Sequence, residues 1–172
     1  MKPFIIAHRA NLEGPDPKTE NTPEAIQKCI EAGIDIELDI WYKDGKFFLG
    51  HDEPKIEFDI INYNFYPIKV FVHCKTIETY VKFKQKRSNF YEFSAFIHDK
   101  DMATLTSDGN IWTYPGQPLF KESIAVMPEY VSKQYQRDTE FLFKNNEITG
   151  VCSDYPLEWK ELLQENKENE HE

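Results

Sequence analysis

Residues 34–40 read Ile-Asp-Ile-Glu-Leu-Asp-Ile, a strict alternation of apolar and acidic side chains. A period of two is typical of a β-strand, because successive side chains point to opposite faces of a sheet. Asp35, Glu37 and Asp39 therefore share one face. On an antiparallel sheet that face would point to solvent, but in a parallel barrel it would point into the interior. Interior carboxylates need a compensating partner, because burying an unpaired charge has a large desolvation cost.

The chain on either side of this stretch alternates between predicted strands and helices. Phe4–His8 is a short apolar run, Thr22-Pro23 is a typical helix start, and Asp44-Gly45 is a strong hairpin signal. Further strands are predicted over residues 69–72, 90–97, 110–114, 123–127 and 148–152, and further helices over 77–87, 132–145 and after Pro156. This alternation indicates an α/β protein with a largely parallel sheet.

Length and charge limit the classes of function. The chain has 172 residues and a formal net charge of −10, which argues against binding to nucleic acid or to an anionic membrane. We expect one domain over residues 1–165 and an acidic, disordered tail over 166–172. No apolar run is long enough for a membrane span or a signal peptide, and the three cysteines are isolated. These features predict a cytoplasmic protein, and a homodimer is possible.

Polar residues collect where the predicted strands end. The histidines at such positions are His8, His51, His73 and His98, and Glu37 and Asp39 lie near the end of the second strand. The carboxyl ends of parallel strands are where α/β barrels hold their chemistry. A divalent cation would compensate the two carboxylates, whose oxygens suit Mg²⁺, Mn²⁺ or Ca²⁺.

An ordered set of motifs carries a family resemblance. In chain order the set comprises His8-Arg9, Glu20-Asn21-Thr22, Glu37-x-Asp39, Asp44-Gly45, His51-Asp52 and the segment from Thr149 to Pro156. Each motif is weak alone, but their order and spacing are specific. On these residues the chain resembles the glycerophosphodiester phosphodiesterase family, while residues 55–147 match it less well.

The resemblance implies a TIM-type (β/α) barrel and a metal-dependent hydrolase of glycerophosphodiesters in lipid metabolism. At 172 residues the barrel would be trimmed, with shortened or missing helices and a small β-hairpin after the second strand, since a full barrel takes about 250 residues. By resemblance, the roles are His8 and His51 as the acid/base pair, Glu37 and Asp39 as ligands of one divalent cation, and Arg9 and Lys75 as contacts to the phosphate of a small-molecule substrate.

The chain departs from the family pattern at three places. Ala10 stands where the family has Gly, which matters if the backbone there needs a positive φ. His73 stands where the family has a third carboxylate. It is either a neutral ligand that favours Mn²⁺ or Zn²⁺, or a hydrogen-bonding residue while water completes the metal shell. The insertion after the hairpin is reduced to residues 53–68, which leaves the specificity for the alcohol open.

Several alternatives remain open at this level. The attacking group can be water, giving a phosphomonoester, or a neighbouring hydroxyl of the substrate, giving a cyclic phosphate. A barrel that binds the metal and a phosphoester without turnover is the alternative outside the enzyme class. Residues with a weaker claim to the site are His98, Asp99, Trp112, Tyr114 and Glu129.

Overall fold

Strands and helices alternate along the chain largely as the apolar pattern predicts. The computed structural model describes residues 3–86, 93–131, 142–143 and 147–169. The strands are β1 (Phe4–Ala7), β2 (Asp35–Lys43), β3 (Lys46–Leu49), β4 (Ile56–Glu57), β5 (Val70–Cys74), β6 (Phe93–Phe96), β7 (Ala103–Leu105), β8 (Ile111–Thr113), β9 (Ser123–Val126) and β10 (Gly150–Ser153). The α-helices in these residues are α1 (Pro23–Ala32), α2 (Ile77–Lys86) and α3 (Pro156–Asn169).

One mixed sheet contains all of these strands. Its parallel part runs in the spatial order β6-β5-β2-β1-β10-β9-β8. The remaining strands are antiparallel: β3 pairs with β2 and then with β4, and β7 pairs with β8. The parallel order places the C-terminal ends of β1 and β5 on either side of the parallel-paired half of β2, which carries Glu37 and Asp39.

The sheet is strongly curled. Phe96 on β6 stacks on Trp112 on β8 with ring centroids 4.6 Å apart, although these strands lie at opposite ends of the parallel order. Phe71 of β5 also contacts Trp112, at 5.4 Å. The concave face is completed by buried apolar side chains of β1, β9 and β10, namely Ile6, Ile124, Val126 and Cys152. A packed apolar core therefore fills the inside of the curl below the strand ends.

The closed TIM barrel implied by the resemblance is wrong for this chain. Among the described residues, β6 pairs only with β5, so the ring of strands is not completed by a ladder. Isolated hydrogen bonds span the gap, such as that from Ser107 N to Ala95 O at 2.8 Å. The reason is the short connection between β6 and β7. A parallel return needs a crossover of about a dozen residues, so the chain instead turns back as an antiparallel strand.

The helices cover the convex face. Thr22 caps α1, its hydroxyl accepting a hydrogen bond from Ala25 N at 3.2 Å, and Gly33 ends the helix at a φ of +61°. Ile26 of α1, Phe83 of α2 and Trp159 of α3 are all buried in the outer core. Within the described ranges the α-helices number three, and none of them is long and apolar enough to cross a membrane.

The predicted hairpin after the second strand is confirmed. Asp44 and Gly45 both have positive φ, +49° and +84°, as a tight hairpin turn requires. The predicted helix over 132–145 and the start of the strand predicted over 90–97 fall mostly on residues outside the described ranges. The terminal helix α3 runs to Asn169, and residues 170–172 of the predicted tail also lie outside those ranges.

Candidate functional site

A cavity of about 150 Å³ opens at the C-terminal ends of the strands. Its walls include six of the seven residues predicted for the site, namely His8, Arg9, Glu37, Asp39, His51 and His73. Lys75 joins the group through a 3.1 Å contact with Asp39. His98, Trp112 and Tyr114 also line the cavity. By contrast, Asp99 is exposed, and Glu129 accepts a hydrogen bond from Ser153 Oγ at 2.6 Å.

The acidic pair lies on the inner face of β2, and His73 stands beside it on the neighbouring strand. Asp39 and His73 are partners in the parallel register of β2 and β5. His73 Nδ1 lies 2.9 Å from Asp39 Oδ1 and 3.9 Å from Glu37 Oε1. The strand register alone thus assembles these three side chains, two of which come from the alternating stretch of β2.

Asp39 is 1% exposed, yet several donors and cations support its charge. Asn21 Nδ2 donates to Asp39 Oδ2 at 3.0 Å, and Asp39 N donates back to Asn21 Oδ1 at 3.0 Å. Arg9 Nε lies 3.5 Å from Oδ2. Burial would raise the pKa of Asp39, but the hydrogen bond from His73 and the charge of Lys75 outweigh it and hold the pKa well below its ordinary value. Asp39 is therefore ionised at neutral pH.

Glu37 has fewer partners than Asp39. Its Oε2 accepts a hydrogen bond from Arg9 N at 3.0 Å, while Oε1 lies beyond hydrogen-bond distance of His73. Burial and then the charge of Asp39 raise the pKa of Glu37 above its ordinary value. The negative charge of Glu37 is therefore less well compensated than that of Asp39.

The loop after β1 carries several of the motif residues and places them around the acidic pair. Arg9 and Ala10 both take positive φ, +52° and +61°, so Ala10 stands at a left-handed position that glycine adopts without strain. This turn aims Arg9 N at Glu37. Glu20 accepts a hydrogen bond from Arg9 Nη1 at 3.1 Å. In this structure the predicted phosphate-binding side chains Arg9 and Lys75 are thus held by acidic groups.

Glu37, Asp39 and His73 form a cluster that could hold a metal ion, since one ligand atom from each lies within 4.8 Å of the others. The donor set fits a divalent cation, because two carboxylates and one imidazole are common metal ligands. The raised pKa of Glu37 supports the fit. A cation between the side chains would supply the positive charge that Glu37 lacks.

His8 is held by a carboxylate from the far end of the chain. Its Nδ1 lies 2.9 Å from Asp154 Oδ1, which also accepts from Asn11 Nδ2 at 3.0 Å. Because Asp154 accepts and does not donate, Nδ1 carries the proton and Nε2 is left for the cavity. Burial lowers the pKa of His8, but the hydrogen bond to Asp154 and the charge of Glu37 outweigh it, so the pKa lies above its ordinary value of 6.5.

His51 sits in a more open setting, on the loop after β3. Its Nδ1 lies 2.7 Å from Asp52 Oδ1, and its side chain is 35% exposed. The loop is fixed at Gly50, whose carbonyl accepts a hydrogen bond from Trp41 Nε1 at 2.6 Å and where a Cβ would overlap the carbonyl of Glu53. Burial and the nearby cations lower the pKa of His51 below its ordinary value of 6.5, against the opposing effect of Asp39.

Sequence reasoning assigned no role to Asp154, Asn11 or Asn21, although all three hold site residues. The sequence signal that could have identified Asn21 and Asp154 was their position within the recognised motifs. Their function depends on contacts between segments far apart in the chain, 146 residues apart for Asp154 and His8. No local pattern reports such a contact.

Comparisons with protein-family models, with curated proteins and with solved structures find no match for this chain. The family resemblance of the motifs therefore remains a prediction, and the function rests on the geometry of the cavity.

Proposed function

We propose that this protein is a metal-dependent phosphodiesterase that cleaves small glycerophosphodiester-like compounds, with His8 and His51 as the acid/base pair. One observation carries the proposal: two histidines with oppositely shifted pKa values line the same small cavity as an acidic metal-binding cluster. Pairs of titratable groups whose pKa values are pushed apart are typical of acid/base catalysis.

The two shifts support the following division of roles. His8, with its raised pKa, holds its proton to higher pH than an ordinary histidine and can deliver it to the departing alkoxide. His51, with its lowered pKa, is neutral and can take a proton from the attacking hydroxyl. Asp154 orients His8 and stabilises its protonated form. Water or a neighbouring hydroxyl of the substrate can be the attacking group, since the same pair serves both reactions.

Glu37, Asp39 and His73 would hold the cation, which when bound neutralises negative charge on the phosphate. Arg9 lines the cavity and keeps donors to spare, because a guanidinium has five N–H groups and only Nη1 donates to Glu20. The cavity of about 150 Å³ is small for a ligand site, since sites for larger ligands begin at about 300 Å³. This size favours a phosphate with a short alcohol.

The proposal is tested by assaying the metal-free protein on bis-p-nitrophenyl phosphate and on glycerophosphoethanolamine. We expect turnover when Mg²⁺, Mn²⁺ or Ca²⁺ is added and loss of turnover when a chelator removes the ion. Phosphorus NMR of the products separates a phosphomonoester from a cyclic phosphate. Tight binding of metal and phosphate without turnover of any phosphodiester would instead identify a binding protein.

The shifted histidines also predict the pH dependence of kcat/KM. We expect a bell-shaped profile whose acid limb lies below pH 6.5, where His51 becomes protonated, and whose alkaline limb lies above pH 6.5, where His8 loses its proton. Because the acid has the higher pKa, both groups are in their active forms between the two limbs.

Asp154→Asn should move the alkaline limb to lower pH, because it removes the charge that raises the pKa of His8. NMR titration of the His8 ring should report the same shift. Tyr130→Phe is the matched control. It removes a hydrogen bond from an uncharged donor to Asp154 Oδ2, 3.2 Å long, but leaves the charge of Asp154, so it should move the limb less. An alkaline limb unchanged in Asp154→Asn would exclude His8 as its source.

A further inference from the structure

His73 is the unusual member of the acidic cluster, because its ligand atom is a nitrogen. His73 is the register partner of Asp39. Its Nδ1 lies at 2.9 Å from the Asp39 carboxylate and at 3.9 Å from the Glu37 carboxylate. Metal–ligand distances are about 2.0–2.2 Å for carboxylate oxygen and imidazole nitrogen. Ligand atoms this close to one another can share one ion without a change of strand position.

The His73 ring is also fixed in orientation. It stacks on Phe96 with centroids 5.1 Å apart and an interplanar angle of 8°, and its side chain is 13% exposed. The ring lies beside the carboxylates, and its own backbone is part of the sheet. This stacking holds the ring plane beside the carboxylates, and Nε2 is buried without a hydrogen-bond partner among the described residues.

The charge around the cluster matters for which ion it selects. Lys75 Nζ lies 3.1 Å from Asp39 Oδ1, and Arg9 Nε lies 3.5 Å from Oδ2. These fixed cations already offset much of the negative charge of Asp39, so the cluster presents less negative charge than its two carboxylates suggest. Mg²⁺ and Ca²⁺ bind through oxygen ligands and negative charge, so they gain less here than at a site with three carboxylates.

We infer that His73 is a nitrogen ligand of the cation and that the site therefore prefers a first-row transition ion, Mn²⁺, Co²⁺ or Zn²⁺, over Mg²⁺ and Ca²⁺. An imidazole contributes a bond that these ions favour and adds no charge. Coordination through Nδ1 replaces its hydrogen bond to Asp39, and the Nδ1 proton is released to solvent when the metal binds. The inference deepens the proposed function and rests on its metal centre, independently of phosphodiester cleavage.

The test measures metal binding without substrate. Calorimetry on the metal-free protein gives the ratio of Mn²⁺ to Mg²⁺ affinity for wild type, His73→Glu and His98→Ala. Every site of this kind binds Mn²⁺ more tightly than Mg²⁺ to some degree, so the change in ratio is the informative quantity. We expect His73→Glu to lower this ratio, because a carboxylate, which suits Mg²⁺, replaces the nitrogen ligand that favours Mn²⁺. His98→Ala, on the same cavity wall, should leave it unchanged.

Pulsed EPR of the Mn²⁺-loaded protein supplies a direct readout of the ligand. Wild type should show nitrogen modulation from a coordinated imidazole, and His73→Ala should lack it. Absence of nitrogen modulation in wild type would overturn the inference whether or not any variant folds, and so would persistence of the modulation in folded His73→Ala. Nitrogen coordination without phosphodiester turnover would instead sink the proposed function and leave this inference standing.

Discussion

His8→Ala should reduce kcat on glycerophosphoethanolamine by about 10²- to 10⁴-fold, the usual contribution of a positioned general acid. The reason is the alkoxide leaving group, which needs a proton as the bond to phosphorus breaks. With bis-p-nitrophenyl phosphate the loss should be much smaller, because p-nitrophenolate departs without one. Steady-state kinetics on the two substrates measures this difference.

His51→Ala is the matched control for that result. As the proposed base, His51 acts on the attacking group, so its loss should lower turnover of both substrates to a similar extent. Both variants should keep metal affinity, since neither histidine belongs to the metal-binding cluster. An equal loss on the two substrates in His8→Ala would contradict the general-acid role and leave His8 as a phosphate-binding group.

Asp39→Asn should abolish metal binding and also destabilise the metal-free fold, by about 3–5 kcal/mol. This magnitude is typical of removing one partner of a buried ion pair and leaving the other charge in place. Asp39 is 1% exposed, and its removal leaves Lys75 and Arg9 beside a neutral amide. Because the pKa of Asp39 is depressed in the folded protein, its stabilising effect is present at neutral pH and is lost as the pH falls. Urea unfolding monitored by circular dichroism measures the change.

Glu37→Gln is the control for Asp39→Asn, and the expected sign on stability is opposite. A carboxyl whose folded pKa is raised opposes folding at neutral pH, because burial and Asp39 disfavour its charge. A glutamine keeps an acceptor for Arg9 N and removes the charge. We therefore expect weaker metal binding together with a higher free energy of unfolding in the metal-free protein. A fall in stability equal to that of Asp39→Asn would show that the two carboxylates are equivalent, against the structure.

The inner acidic face of β2 was predictable from the chain alone. The alternation over residues 34–40 requires a strand with its carboxylates on one side, and the structure has β2 from Asp35 to Lys43. The hairpin at Asp44-Gly45 was predictable for the same reason, since a tight turn of positive φ depends on neighbouring residues only. Local patterns of this kind identified His8, His51 and the acidic pair as one group.

Two features could not be predicted from apolar periodicity, because they depend on connection length and on contacts between separate segments. β7 returns antiparallel beside β8, an outcome set by the short connection and by the space left between β6 and β8. The strain at Ala10 likewise follows from the turn that aims Arg9 N at Glu37. Apolar periodicity carries no record of either constraint, so the expected closed barrel is in fact a curled, open sheet.

Residue type and the order of apolar and polar residues are local properties of the sequence. They indicated which side chains could take part in chemistry. The pairing of those side chains is a property of the folded chain. Asp154 becomes the partner of His8, Asn21 the partner of Asp39, and His73 a neighbour of both carboxylates. The length of 172 residues already indicated a sheet with few helices. How that sheet ends depends on strand pairing across its edges, because hydrogen bonds between strands form only once the whole sheet is assembled.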